Sequence, residues 1–147
     1  MKSKMFGLFA TVKDLDKNII IYKVITNTLR ETGIAMYKPW IVDEYPLTKT
    51  ELVNKVRAFV EGTNKQVRVI DFAVAEFSTK SRTVFYQTIT ALENKVPVLC
   101  VQRLNKKNKI PTNIFQNSIF LISTMITAKY VKALNIAIFG LIDILCG

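Results

Sequence analysis

The chain has 147 residues, half of them apolar, and carries 21 Lys and Arg against 11 Asp and Glu for a formal charge of +10. That length and apolar content suit one compact domain over residues 1–147, with a core that needs neither disulfides nor metals to hold it. The sequence contains no histidine, which excludes Ser-His and Cys-His nucleophile pairs, imidazole general bases and most catalytic zinc sites.

Any chemistry must therefore rest on the few carboxylates. Cys100 lies inside the apolar run VPVLCV and Cys146 is one residue from the end, so the two make no disulfide framework. A reducing, cytoplasmic setting is the expectation. The opening MKSKMFGLFATVK has an apolar run of only about eight residues and no cleavage-site pattern, and reads as a first strand. ALNIAIFGLIDILC, about fourteen residues with Asp143 inside it, is too short to span a bilayer. No membrane association, cofactor or metal is expected.

In chain order, residues 15 to 32 place apolar side chains at positions 15, 19, 22, 25 and 29, a helical spacing that Gly33 ends. IAMYK, residues 34–38, reads as a strand, and PWIVDEYPLTK, residues 39–49, as a loop held by Pro39 and Pro46. Thr48 and Glu51 form a capping-box pattern that opens a helix to about Glu61. VRVIDFAVAE, residues 67–76, is a buried strand. After a polar loop, Ser81 opens a helix to about Asn94, and VPVLCV, residues 96–101, is the next strand. Residues 103–117 form a polar loop, SIFLIS a short strand, and residues 128–145 a terminal helix. There is no internal repeat or low-complexity segment. Strands separated by helices predict an α/β domain whose five-stranded, mainly parallel sheet has right-handed crossovers and helices on both faces.

The most informative run is DFAVAEFSTKSRTVFYQ, residues 71–87. Aligned without a gap, Asp71, Ala75, Glu76, Ser78, Ser81, Val84 and Tyr86 match D-V-V-V-A-E-V-S-x-P-S-x-G-V-G-Y-E. The run thus resembles the core of the nucleoside 2-deoxyribosyltransferases and the related 2′-deoxynucleoside 5′-monophosphate N-glycosidases. The resemblance spans roughly residues 5 to 145 and implies a flavodoxin-like strand order and a homodimer or higher oligomer. In that family a glutamate attacks the anomeric carbon to form a glycosyl-enzyme ester. Gln87 stands at its position, and an amide only donates and accepts hydrogen bonds. Thr83 and Phe85 replace glycines that let backbone approach the sugar. Thr63 stands where the N-glycosidases carry a second acid, and Glu61 substitutes only if the register slips by two. The first loop, Ala10 to Lys13, has no glycine, where the family's loop cradles the nucleotide. Thr11, Lys13 and the start of the next helix still suit a phosphate.

Each residue also has a structural reading. Asp71 fits a strand-end residue that bonds backbone, or a ligand contact; Glu76 lies at the carboxyl end of its strand, where open α/β sheets bind ligands. Gln87 shares a helix face with Val84 and Ala91 and fits a satisfied helix residue or a hydrogen bond to sugar or base. Ser78 and Ser81 suit phosphate coordination, Ser81 also the helix cap. Phe85 and Tyr86 suit core packing, a dimer contact or stacking on a base. From Asn94 onward there are seven basic residues against one acid, including Arg103, Lys106, Lys107 and Lys109 in one loop. Such a loop attracts nucleic acid or other phosphate-rich partners, or is a solvated surface; no nucleic-acid-binding motif accompanies it.

The expectation is a catalytically inactive relative of that family that keeps a pocket for a nucleotide or other phosphorylated small molecule. Two alternatives stand beside it: an active glycosyl-bond enzyme using Glu76 or Glu61, and a protein- or nucleic-acid-interaction module on the same scaffold.

Overall fold

The structure, a computed structural model, describes residues 4–103 and 119–123. Lys106, Lys107, Lys109, Cys146 and the terminal helix expected over 128–145 lie outside the described residues. In chain order the elements are β1 (Met5–Phe9), α1 (Leu15–Glu31), β2 (Ala35–Met36), α2 (Trp40–Asp43), α3 (Lys49–Glu61), α4 (Thr63–Val69), β3 (Phe72–Glu76), α5 (Arg82–Glu93), β4 (Val98–Arg103) and β5 (Ile119–Ser123). All pairings are parallel and run β2-β1-β3-β4-β5. This order is consistent with a flavodoxin-like fold. The chain leaves β1 toward one side of the sheet and β3 toward the other, which makes the carboxyl ends of these strands the topological switch point.

Strand alternation divides the core into two clusters. Phe6, Leu8, Phe72, Val74, Leu99 and Val101 pack with Tyr22, Ile25 and Leu29 of α1 and with Trp40, Ile41 and Val42 of α2. The intervening positions, Phe9, Ala73, Ala75, Val98 and Cys100, pack with Val67 of α4 and with Val84 and Ala91 of α5. Every residue of β3 is buried, as its near-continuous apolar run requires.

Helix α1 buries Leu15, Ile19, Tyr22, Ile25 and Leu29, the stripe its spacing predicts. It ends in a Schellman motif: Ile34 N–H bonds the Leu29 carbonyl and Gly33 N–H the Arg30 carbonyl, with Gly33 at φ 84°. The Thr48–Glu51 capping box forms in both directions, at 3.2 and 3.1 Å.

Three expected boundaries are corrected. The strand expected over 67–76 is β3 only from Phe72, because residues 63–69 form α4. Val67 is buried while Val69 is 53% exposed, a helical rather than alternating pattern once the segment packs. The strand expected over 34–38 pairs only at Ala35 and Met36. The loop expected over 39–49 contains α2, which buries Trp40, Ile41 and Val42. Pro39 caps its start, where a missing N–H is harmless.

Gly7 lies on β1 where a Cβ would come within 2.9 Å of Gln66 Nε2 and 3.1 Å of Ile70 Cδ1. Gln66 is 1% exposed, and neither of its amide atoms has a hydrogen-bond partner among the described residues. An unmatched buried amide opposes folding. Gln66→Met, of similar shape without the polar atoms, should therefore raise stability by about 1–2 kcal/mol in urea unfolding. A loss of stability would show that the amide is satisfied in solution.

Candidate functional site

The loops after β1 and β3 meet at the carboxyl edge of the sheet, and α1 ties them together. Tyr22, buried, donates its hydroxyl to the Thr11 carbonyl at 2.8 Å. Thr11 Oγ1 accepts from Lys13 N–H at 3.1 Å, so the buried threonine shapes the loop while the Lys13 side chain stays exposed. Asn18 Nδ2 donates to the Lys13 carbonyl at 3.2 Å and to Thr79 Oγ1 at 3.3 Å. One side chain thus bridges the first loop to the loop after β3. Without glycine, the first loop makes its turn at Asp14, φ 52°, a residue type that tolerates the left-handed region.

At the end of β3, Glu76 is 3% exposed and its Oε1 accepts from Ser78 N–H. Its carboxylate is turned into the loop that follows it, and Ser78 is buried beside it. Ser81 has extended backbone, and its Oγ accepts from Val84 N–H at 3.3 Å, the N-cap expected of it. Its hydroxyl proton still points a donor at the same edge of the sheet.

Gln87 lies on the second turn of α5 and is 1% exposed. It faces a cavity of about 40 Å³ formed by Ala10, Thr11, Val12 and Thr83 on one side and Trp40, Val56, Phe59 and Val60 on the other. Gln87 Nε2 has no hydrogen-bond partner among the described residues. Thr83 occupies the space the resemblance assigns to glycine. Phe85 does not: partly buried, it packs against the second core cluster of Val84 and Ala91 and is absent from the cavity wall. Tyr86 is 46% exposed.

The remaining expected site residues lie elsewhere. Asp71 accepts from Met5 N–H at 2.7 Å through Oδ2, joining the starts of β1 and β3. That is the amino edge of the sheet, a strand's length of roughly 15 Å from the Gln87 cavity. Asp71 is thus the strand-end residue of its structural reading and not a ligand contact at the carboxyl edge. Thr63 is fully buried and donates to the Val60 carbonyl at 2.8 Å, a bond that occupies it within its own chain segment. Glu61 is exposed at the end of α3 and is absent from the cavity wall. Among the described residues there is no cluster of three or more side chains able to hold a metal ion. No helix among them is long and apolar enough to cross a membrane.

Sequence reasoning missed Trp40 and Phe59. Their rings meet edge to face, centroids 6.0 Å apart at 74°. The same two residues also line a larger outer cleft of about 340 Å³, with Lys38, Pro39, Asp43, Glu44, Lys55 and Ala58 around it. At its rim Arg30 makes a two-point pair with Asp43, both bonds at 2.8 Å, and Lys55 pairs with Glu44 at 3.5 Å. The hydrogen bond from Arg30 holds the Asp43 carboxyl below its ordinary pKa against a smaller opposing effect of burial.

No protein-family model matches the chain, and no curated protein matches it in sequence. Among solved structures it is similar to the CMP N-glycosidase BcmB of Clostridium botulinum, with a TM-score of 0.58 and 13% identity over 90% of this chain and 98% of that one. A 3-dehydroquinate dehydratase-like protein from Bifidobacterium longum matches at a TM-score of 0.44 and 14% identity, over 96% of this chain and 98% of its own. The first likeness concerns the fold, a nucleoside deoxyribosyltransferase-like scaffold.

The Arg30–Asp43 pair yields a pH signature. The folded pKa of Asp43 is depressed, so its contribution is complete above the unfolded carboxyl value of about 3.9 and is lost as pH falls through the folded value. The pair is largely exposed, so screening holds its worth to about 0.5 kcal/mol. Asp43→Asn should cost about that much at neutral pH. The difference from the parent should vanish at about pH 2 and shrink in molar salt. A difference unchanged by acid would mean that Asp43 acts through packing.

Proposed function

We propose that this chain is a nucleoside deoxyribosyltransferase-like protein that has lost glycosyl transfer and keeps a pocket for a nucleotide or related phosphorylated ligand. Its sheet is completed by β5 as a fifth strand, with helices on both faces. The observation that carries the reading is Gln87: an amide, buried, presented to a cavity at the switch point of the sheet. It stands where the resemblance calls for a nucleophilic carboxylate. Thr63, where a second acid is called for, is spent on the Val60 carbonyl. Neither residue forms a glycosyl ester or moves a proton as an acid does.

What supports ligand binding is the polarity of the same edge. Helix α5 points its amino terminus there, capped by Ser81, and peptide N–H groups at a helix start favour an anion. Lys13 adds a cation on the facing loop. The structural neighbour named for CMP makes this nucleotide the first probe. Gln87 Nε2 suits a sugar or base oxygen. Glu76 is a buried carboxylate at this edge, and an active enzyme built on it is the competing reading; its bond from Ser78 N–H aims it into its own loop.

We further propose a homodimer or higher oligomer to which α5, with Tyr86 46% exposed, and the terminal helix expected outside the described residues supply apolar surface. Light scattering at micromolar concentration should give at least twice the chain mass, and a stable monomer would sink this part.

The purified protein should release no base from deoxynucleosides or their monophosphates above the uncatalysed rate, and Gln87→Glu should restore little because Thr83 and Thr63 remain. Robust hydrolysis abolished by Glu76→Ala or Glu61→Ala would overturn the reading of lost chemistry. Saturating CMP should stabilise the fold by roughly 1–3 kcal/mol, the linkage at ten to a hundred times the dissociation constant. Ser81→Ala and Lys13→Ala should reduce that shift, and Lys106→Ala and Lys107→Ala should not. The reverse pattern, erased by salt, would assign the protein to nucleic acid or another polyanion.

A further inference from the structure

We infer that the ligand site has two chambers, and that Trp40 and Phe59 form a partition that opens when a flat heteroaromatic ring displaces Phe59 and stacks on Trp40, the ring lying in the outer cleft while the rest of the ligand reaches Gln87. This rests on the nucleotide reading of the inner cavity given above. The inner cavity, about 40 Å³, is far below the roughly 300–1,000 Å³ of small-molecule sites. The outer cleft, about 340 Å³, falls within that range. Trp40 and Phe59 line both, and so stand where the two cavities meet.

The two sides of this partition ask for different parts of one molecule. Inside, Gln87 Nε2 is a buried donor without a partner among the described residues, so an acceptor oxygen entering there gains a bond the free protein lacks. Outside, Trp40, Phe59, Pro39 and Ala58 make an apolar floor, and a flat ring stacked on Trp40 replaces the edge contact that Phe59 now supplies.

Trp40 is buried in the first core cluster, so Phe59 is the half of the partition that yields. Phe59 belongs to α3, which has no fully buried residue, so its displacement exposes little core. Trp40 begins the four-residue helix α2, next to Lys38 at φ 45°. A lysine held in the left-handed region is strained, and such strain is retained where a site uses it. Lys38 lines the outer cleft, and its ammonium now stands over the Tyr37 ring at 5.4 Å. The cleft's carboxylates are engaged by Arg30 and Lys55, and Lys38 is in neither pair. By swinging from the Tyr37 ring into the cleft it would donate to the carbonyl and ring-nitrogen acceptors of a pyrimidine.

Trp40 is the sole tryptophan of the chain, so its emission reports the partition directly. In titrations of the full chain, CMP and cytidine should change that emission saturably, and ribose 5-phosphate and inorganic phosphate should leave it unchanged. Lys38→Gly should raise the thermal midpoint by relieving the backbone, yet weaken cytidine binding about tenfold. If CMP raises the thermal midpoint while Trp40 emission stays flat, the nucleotide pocket stands and the two-chamber site is overturned. A response to ribose 5-phosphate equal to that of CMP overturns the assignment of the ring to the outer cleft. Silence from CMP in both readouts overturns both readings. Lys38→Gly that gains stability and keeps full cytidine affinity removes Lys38 from the site.

Discussion

Strand β3 is buried along its whole length, and its parallel pairing with β1, from Phe6–Phe72 to Phe9–Ala75, sets two loop exits side by side. The rest of the carboxyl edge depends on that pairing. It brings Thr11 and Lys13 opposite Ser78 and Ser81, and it lets Asn18 hold both loops at once. It also directs α5 so that Gln87 reaches the end of β1. At the other edge Asp71 bonds the first amide of β1, which locks the same register from below. A one-residue slip would exchange the two core clusters, so both ends of the pairing are fixed by burial as well as by hydrogen bonds.

The exchange of acid for amide at position 87 suits the surroundings. The described cavity holds no cation near Gln87, and its walls are alanine, valine, threonine and aromatic side chains. An ionised carboxylate there would lose its water without gaining a counter-charge. A neutral amide avoids that penalty but leaves a donor to satisfy. The change therefore removes nucleophilicity and preserves the capacity to recognise an oxygen atom. Glu76 illustrates the opposite solution: buried as deeply, it keeps its charge-bearing group beside a backbone N–H.

Much of this organisation was readable in the sequence wherever local signals agree. The α1 stripe, Gly33, the Thr48–Glu51 box and the Ser81 cap each combine periodicity with a terminus signal, and all four appear as expected. Residues 67–71 misled because Val67, Arg68 and Val69 alternate as a strand would, and only packing shows Val67 inward and Val69 outward. Two prolines disguised α2 as a loop. The site itself divided along the same line. Ser81 and Gln87 were placed by a local motif, whereas the Trp40–Phe59 contact joins residues 19 positions apart on separate helices, which no local pattern encodes. Core packing, one of the readings open for Phe85, is the one its position against the second cluster matches.

Helix α3 is anchored at its start by a reciprocal cap, along its length by partly buried Leu52, Val56 and Phe59, and at its end by the Thr63 bond to the Val60 carbonyl, with no fully buried side chain. A segment with so little buried surface is expected to open at a free energy below that of global unfolding, and β3, buried throughout, to exchange its amide hydrogens only when the whole sheet comes apart. Burial thus predicts two tiers of stability, a sheet buried along β3 and a helix held to it by partly buried side chains. Substitutions on α3 therefore shift the spread of native conformations long before they shift the melting of the protein.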